Sequence, residues 1–337
     1  MSQRNAFTLG VAALALGLVP AAAFAAPDWS KVPEVETVLL YPGQTSLEWV
    51  MNGPDHGGAR SFVKKGDRCA DCHVGEQADM GTKMVTGKKA EKQVIPGKRP
   101  AIPLKVKAAF DATNLYMRFE FPAGSHAPVP FAKDGKMDPE NEIKFAMMIS
   151  PEKGHDLQQR AGCWSTCHDD NRDMPSAPDK AKLAAVKGID TSAGYVTKYS
   201  VDSRTALVTS GDVRGSFDKL KPAADLDALL KNGGFMDLLR WKSKGNVSED
   251  GHIAAERVMK GGQGVQFDGK KEGNKWVVTM TRKLASTAPG DVSMEPGKAY
   301  TVGFAVHDDH VDGRFHHVSV DVKLGLGADG DIKAVKQ

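Results

Sequence analysis

The sequence has little cysteine: four residues in 337. They stand in two pairs, Cys69/Cys72 and Cys163/Cys167, so none is left for a scattered disulfide framework. Charge bias is also missing. Forty-five basic and 42 acidic residues leave a net charge of +3, which excludes the strong basic footprint of a nucleic-acid-binding protein. Long apolar runs are absent too. The stretch Phe7 to Pro20 is too short to span a bilayer, and no other run approaches membrane length. There is no repeat beyond the paired cysteines, no low-complexity tract, and no thioredoxin-like βαβ pattern around residue 69.

What is present is chemically pointed. Cys69-Ala70-Asp71-Cys72-His73 sets two thiols two residues apart and follows them at once with an imidazole. That is the arrangement for covalent haem attachment: the thiols form thioethers with the two vinyl groups, and the histidine takes an axial position on iron. Cys163-Trp164-Ser165-Thr166-Cys167-His168 repeats it with one more residue between the thiols. The added residue need only bulge the loop, since haem fixes the sulfurs and not the backbone between them. The expectation is two covalently bound c-type haems, with His73 and His168 as proximal ligands. A redox dithiol, one all-thiolate zinc site and two disulfides are the competing uses of four cysteines. The zinc reading leaves the histidine after each pair unexplained.

The N-terminus reads as an export signal. Arg4 is a positive n-region, the apolar stretch follows, and Ala23-Phe24-Ala25 matches a small-x-small cleavage site. The expectation is a signal peptide over 1–25, a periplasmic location, and no membrane span in the mature chain.

Residues 27–60 read as loop-rich, with one strand over Glu36–Tyr41 and His56 in a flexible segment. From Leu104 the pattern alternates. Leu104–Phe110 and Leu115–Phe121 flank a turn at Asp111–Asn114, a hairpin with one buried face. Further strands are expected at Lys144–Ile149, Lys275–Arg282, Ala299–His307 and Phe315–Val322. Short helices are expected at Asp179–Lys187, Leu226–Leu230 and Phe235–Trp241. Short strands with long loops predict a mainly β fold, a β-sandwich. The basic run at 83–107 (Lys83, Lys88, Lys89, Lys92, Lys98, Arg99, Lys105, Lys107) reads as a solvated face, with steering of an acidic partner as the alternative.

Four segments in this order carry a family resemblance: Leu115–Phe119; Cys163-Trp164-x-x-Cys167-His168-Asp169-Asp170; Phe235–Lys242; and Gly303–Asp308 with His316-His317-Val318-Ser319. The chain resembles the haem-binding domain of the ethylbenzene dehydrogenase family, which includes haem subunits of molybdenum enzymes. The resemblance implies an immunoglobulin-like β-sandwich holding haem at one end, with long haem-binding loops. The organisation expected is a signal peptide (1–25), a short N-terminal c-type haem segment (26–100), the sandwich (101–325) and a tail (326–337). The molybdenum-enzyme subunits bind one non-covalent haem through methionine and lysine. The covalent motifs here point instead to a cytochrome c branch. A third, non-covalent haem would look to Met117 and Lys242, for which a strand core and a surface charge are the plainer readings.

The distal ligands remain to be chosen. Candidates are His56, His126, His155, His252, His307, His310, His316, His317, Met80, Met84 and Met174. His56 and one of His316 and His317 are preferred. The last two are adjacent on a strand, so their side chains point to opposite faces and only one can enter a haem pocket. Trp164 is placed to pack on the second haem. With both axial positions filled, iron cannot bind substrate. The chain then reads as a carrier of single electrons between redox proteins, a molybdenum enzyme or another cytochrome among them. A haem electron-transfer subunit of a molybdenum oxidoreductase complex and a haem enzyme with one open axial site are the alternatives.

Overall fold

The computed structural model describes residues 26–91, 94–124, 136–168, 174, 180–185, 199–210, 219 and 221–337. The expected signal peptide and His126 lie outside them. The described residues form a mainly β fold of thirteen strands. These are β1 (Val35–Leu40), β2 (Ala101–Phe110), β3 (Asn114–Pro122), β4 (Lys144–Ile149), β5 (Met236–Lys242), β6 (Val247–Ile253), β7 (Arg257–Val258), β8 (Gln266–Glu272), β9 (Lys275–Lys283), β10 (Ala299–His307), β11 (His317–Val318), β12 (Val322–Leu326) and β13 (Ile332–Lys336).

Hydrogen bonding runs β7-β6-β5-β4-β10-β11-β1-β2-β3-β9-β8, and β12 and β13 make a second bridge from β10 to β2. The ladder therefore folds on itself. β4, β5, β6 and β10 make one layer, and β2, β3, β8 and β9 face it. Phe119 of β3 meets Phe145 of β4 at 4.4 Å between ring centroids, and Trp241 of β5 meets Trp276 of β9 at 5.6 Å. Alternation places Phe145, Met147, Ile149, Leu239, Trp241, Phe304 and Val306 in the core between the layers. The β2–β3 hairpin pairs as its alternation predicts, Lys105 with Glu120 through Phe110 with Leu115.

The intervening residues of the same strands face outward and are buried as well. Ala146, Met148, Met236, Leu238, Ala305 and Val318 pack under Leu47, Val50, Phe62, Cys163 and Trp164. A third layer of short helices and loops thus covers the outer face of one sheet. It comprises α1 (Leu47–Met51), a π-helical turn (Ser61–Lys65), α2 (Cys69–His73), α3 (Gln77–Val85), α4 (Asp156–Ala161) and a 3-10 turn (Gly162–Thr166). Buried Glu48 of α1 pairs with Arg204 and ties this layer to the 199–210 segment.

Two expectations are corrected. Met236–Lys242 is a strand and not a helix. Its apolar run is buried on both faces, so periodicity could not separate the two forms. The strand expected over Phe315–Val322 is two short ones, β11 and β12, the first crossing to β1 and the second to β13. β1 from the N-terminal segment and β13 from the expected tail are both integral to the sandwich.

Candidate haem sites

The first motif forms α2, a single helical turn. Arg68 N–H donates to Asp71 Oδ2 (2.8 Å) and opens the turn. Asp321, buried just before β12, fixes it to the sandwich, accepting from Ala70 N–H (2.9 Å) and Arg68 Nε (2.5 Å). Cys69, Cys72 and His73 line a cavity walled also by Trp49, His56, Phe62, Met80, Met84 and Trp164. His56 and His73 lie with ring centroids 5.8 Å apart. His56 Nδ1 is 2.7 Å from the Val50 carbonyl. A carbonyl only accepts, so Nδ1 carries the proton and Nε2 is the nitrogen with a lone pair for a metal.

The second motif occupies the 3-10 turn and lies directly on the sheet. Cys163 Sγ approaches β10 at Gly303, where a Cβ would come within 2.5 Å of the sulfur, so only glycine admits it. Cys163, Cys167 and His168 line a second cavity. Its floor is the outer face of the sheet: Ala146 and Met148 from β4, Leu238 and Arg240 from β5, Ala305 and His307 from β10. The resemblance implied haem at one end of the sandwich; this cavity instead spreads over a sheet face. His168 Nδ1 lies 3.0 Å from the Thr166 carbonyl, and Tyr199 stands edge-on to its ring at 4.2 Å.

His316 and His307 both line this cavity, stacked at 4.5 Å and 18°. His316 Nδ1 is 2.7 Å from the Gly313 carbonyl, the same anchoring that His56 and His168 show. Burial lowers His316 to about 4 and His307 well below its usual range, so both rings are neutral near pH 7, the state in which imidazole binds metal.

His317 turns to the opposite face. Its Nε2 is 2.8 Å from the Arg99 carbonyl and its Nδ1 3.0 Å from Asp308 Oδ1. Both nitrogens are engaged and the ring lines neither cavity, so His317 is not placed to bind haem iron. Among the other candidates, His155 caps α4, accepting from Leu157 N–H, and His310 Nδ1 bonds to the Asp138 carbonyl. Met174 lines the second cavity, and Met80 and Met84 the first. Met117 is buried in the sandwich core and Lys242 pairs with Glu249.

The four thiols divide between two cavities, which removes the single zinc site. Burial pushes both Cys69 and Cys163 up to about 12, keeping them protonated and unlike a poised redox thiolate.

Sequence reasoning missed two features. Trp164 lines both cavities, with its Nε1–H donating to Thr45 Oγ1 (3.1 Å). Lys98, read as part of a solvated run, is buried, and its Nζ bonds to Asp308 (2.9 Å) beside Arg99 (2.9 Å).

The family model described as Ethylbenzene dehydrogenase matches residues 26–275 and 249–319. Cytochrome c-552 of Stutzerimonas stutzeri is 41% identical, over 97% of this chain and 96% of its own. The chain belongs to the ethylbenzene dehydrogenase-related cytochromes c. Cytochrome c-551 of Rhodocyclus tenuis is 31% identical, over 93% of this chain and 100% of its own. Among solved structures, a family 9 carbohydrate-binding module from Caldicellulosiruptor kristjanssonii aligns over 65% of this chain and 66% of its own, at 8% identity and a TM-score of 0.27. A likeness that remote carries no argument. Among the described residues, no helix is long and apolar enough to cross a membrane.

Proposed function

We propose that this family member is a periplasmic dihaem c-type cytochrome that carries single electrons between redox proteins. Cys69 and Cys72 hold one porphyrin, with His73 and His56 as axial ligands. Cys163 and Cys167 hold the other, with His168 and His316. A haem in each cavity supplies reversible one-electron chemistry at iron.

The observation that carries this reading is a shared one. His56, His168 and His316 each give Nδ1–H to a backbone carbonyl and each line a cavity that also contains two cysteines. Fixed tautomer and fixed ring orientation are what a metal-ligating histidine needs from its surroundings. Histidine at both axial positions lowers the potential relative to a methionine pair and leaves no site for substrate. The apolar walls, buried Met148, Leu238 and Phe62 with half-buried Trp49, limit water at each cavity, which tunes potential further. The immunoglobulin-like form of the sandwich and cleavage after residue 25 belong to the same reading.

Low-temperature EPR of the oxidised protein tests it. Two low-spin signals of bis-histidine type are expected, with no high-spin component and no spectral change on adding cyanide. A high-spin haem that binds cyanide would mark an open axial site and replace the carrier by an enzyme.

A further inference from the structure

Away from the cysteines, three aspartates converge at one end of the sandwich: Asp237 on β5, Asp250 on β6 and Asp291 in the segment joining β9 to β10. One carboxylate oxygen from each lies within 4.8 Å of the others. The trio is built in a consistent way. Every Oδ2 is held by the protein: Asp237 Oδ2 accepts from Arg282 Nη1 (3.0 Å) and Val292 N–H (2.9 Å), Asp250 Oδ2 from Gly264 N–H (2.9 Å), and Asp291 Oδ2 from Gln263 N–H (2.7 Å) and Ser286 Oγ (2.7 Å). Every Oδ1 is buried and has no hydrogen-bond partner among the described residues. The Asp237 side chain is wholly inaccessible to bulk solvent. A buried acceptor without a partner costs about 1–3 kcal/mol, more when charged, and three such oxygens in one place call for a common partner.

We propose that Asp237, Asp250 and Asp291 bind a hard divalent cation of the calcium type. Three features select that class. All the convergent atoms are carboxylate oxygens, the donors of hard cations, and the sulfur and imidazole donors that transition metals favour are not among them. Two oxygens each about 2.4 Å from one ion lie no more than about 4.8 Å apart, a limit these three oxygens satisfy. The charges also close: three carboxylates and the Arg282 guanidinium leave two negative charges, and a divalent ion cancels them. Gly262 leaves the necessary room. A Cβ on it would point between Asp250 Oδ1 (2.1 Å) and Asp291 Oδ1 (2.9 Å). Gln263, whose N–H holds Asp291, carries a further buried oxygen without a partner, Oε1.

The placement gives the ion a structural task. Arg282 comes from β9 in one layer and Asp237 from β5 in the other, so the ion completes a clamp between layers. Leu238 and Arg240, on the opposite face of β5, form part of the second cavity floor. The site is independent of the haem reading and is tested without reference to electron transfer.

The test uses the full haem-loaded chain, treated with a chelator and dialysed. Calcium is then titrated while the unfolding temperature is followed, and metal retained before chelation is counted by elemental mass spectrometry. About one calcium per chain is expected, with an unfolding temperature that rises and saturates as binding to the native state requires. Asp291→Asn should weaken calcium binding at least about tenfold. Gly262→Ala, which keeps all three carboxylates, should do the same by filling the space. No retained divalent metal together with no calcium-dependent rise would overturn the proposal. So would a rise that persists unchanged in an Asp250→Asn/Asp291→Asn variant, because it would then be a general salt effect.

Discussion

The imidazoles of His56 and His73 stand 5.8 Å apart in the wall of one cavity, although a flexible-looking, glycine-rich segment separates them in sequence. The Val50 carbonyl holds the first ring and α2 carries the second. Replacing His56 by Met exchanges one axial donor for another and should raise the potential of one haem while leaving the other unchanged. Spectroelectrochemical titration resolves the two. A shift in neither potential would remove His56 from the ligand set.

Trp164 is common to both cavities, and its indole is buried and held by Thr45. Trp164→Leu should therefore disturb both haems at once. Met80→Leu, on the first cavity only, and Met148→Leu, on the second only, should each disturb one. Visible and magnetic circular dichroism of the three variants reads this directly. If Trp164→Leu changes one haem alone, the indole is not a shared wall.

Asp308 holds the region behind the second cavity. Burial alone would raise its carboxyl, yet His317, Lys98 and Arg99 hold it well below the usual carboxylate range. His307, next to it in sequence, and His316, next to His317, line the cavity. Asp308→Ala leaves the buried Lys98 ammonium without its carboxylate and should cost about 3–5 kcal/mol. Adding Lys98→Met should recover part of that loss. Denaturant unfolding gives both numbers, and a loss below about 1 kcal/mol would place the pair among weak surface interactions.

Acid sensitivity has a definite contributor in the β2–β3 turn. Slight burial raises Asp111, but N–H donors from Thr113 and Asn114 and the hydroxyls of Tyr116 and Thr113 bring it down to about 2. A carboxyl depressed on folding stabilises above its unfolded value and loses that contribution as pH falls through the folded one. Stability from this turn should therefore be complete above about pH 4 and vanish towards pH 2. Asp111→Asn should lower stability at pH 6 and flatten the dependence between pH 4 and 2. An unchanged slope there would contradict the assignment.

Much of the site was legible because its chemistry is local. A thiol pair with its histidine is contiguous, and the hairpin at 104–121 declares itself by alternation. The opposed directions of His316 and His317 follow from strand parity alone. Which of them faces the cavity does not, because that depends on Asp308 and the Arg99 carbonyl reaching His317 from distant parts of the chain. Met236–Lys242 was misread for a related reason: a strand covered on both faces has no polar side to show its period. The buried state of Lys98 and the convergence of Asp237, Asp250 and Asp291 are products of tertiary pairing, with no mark in the local sequence.

The account depends most on two porphyrins being bonded to these four sulfurs. Intact mass of the protein after acidified-acetone extraction, taken with a pyridine haemochrome spectrum, measures this directly. The predicted result is two c-type haems retained per chain, falling to one in a Cys163→Ala/Cys167→Ala variant. A wild-type chain that retains one haem or none would contradict it.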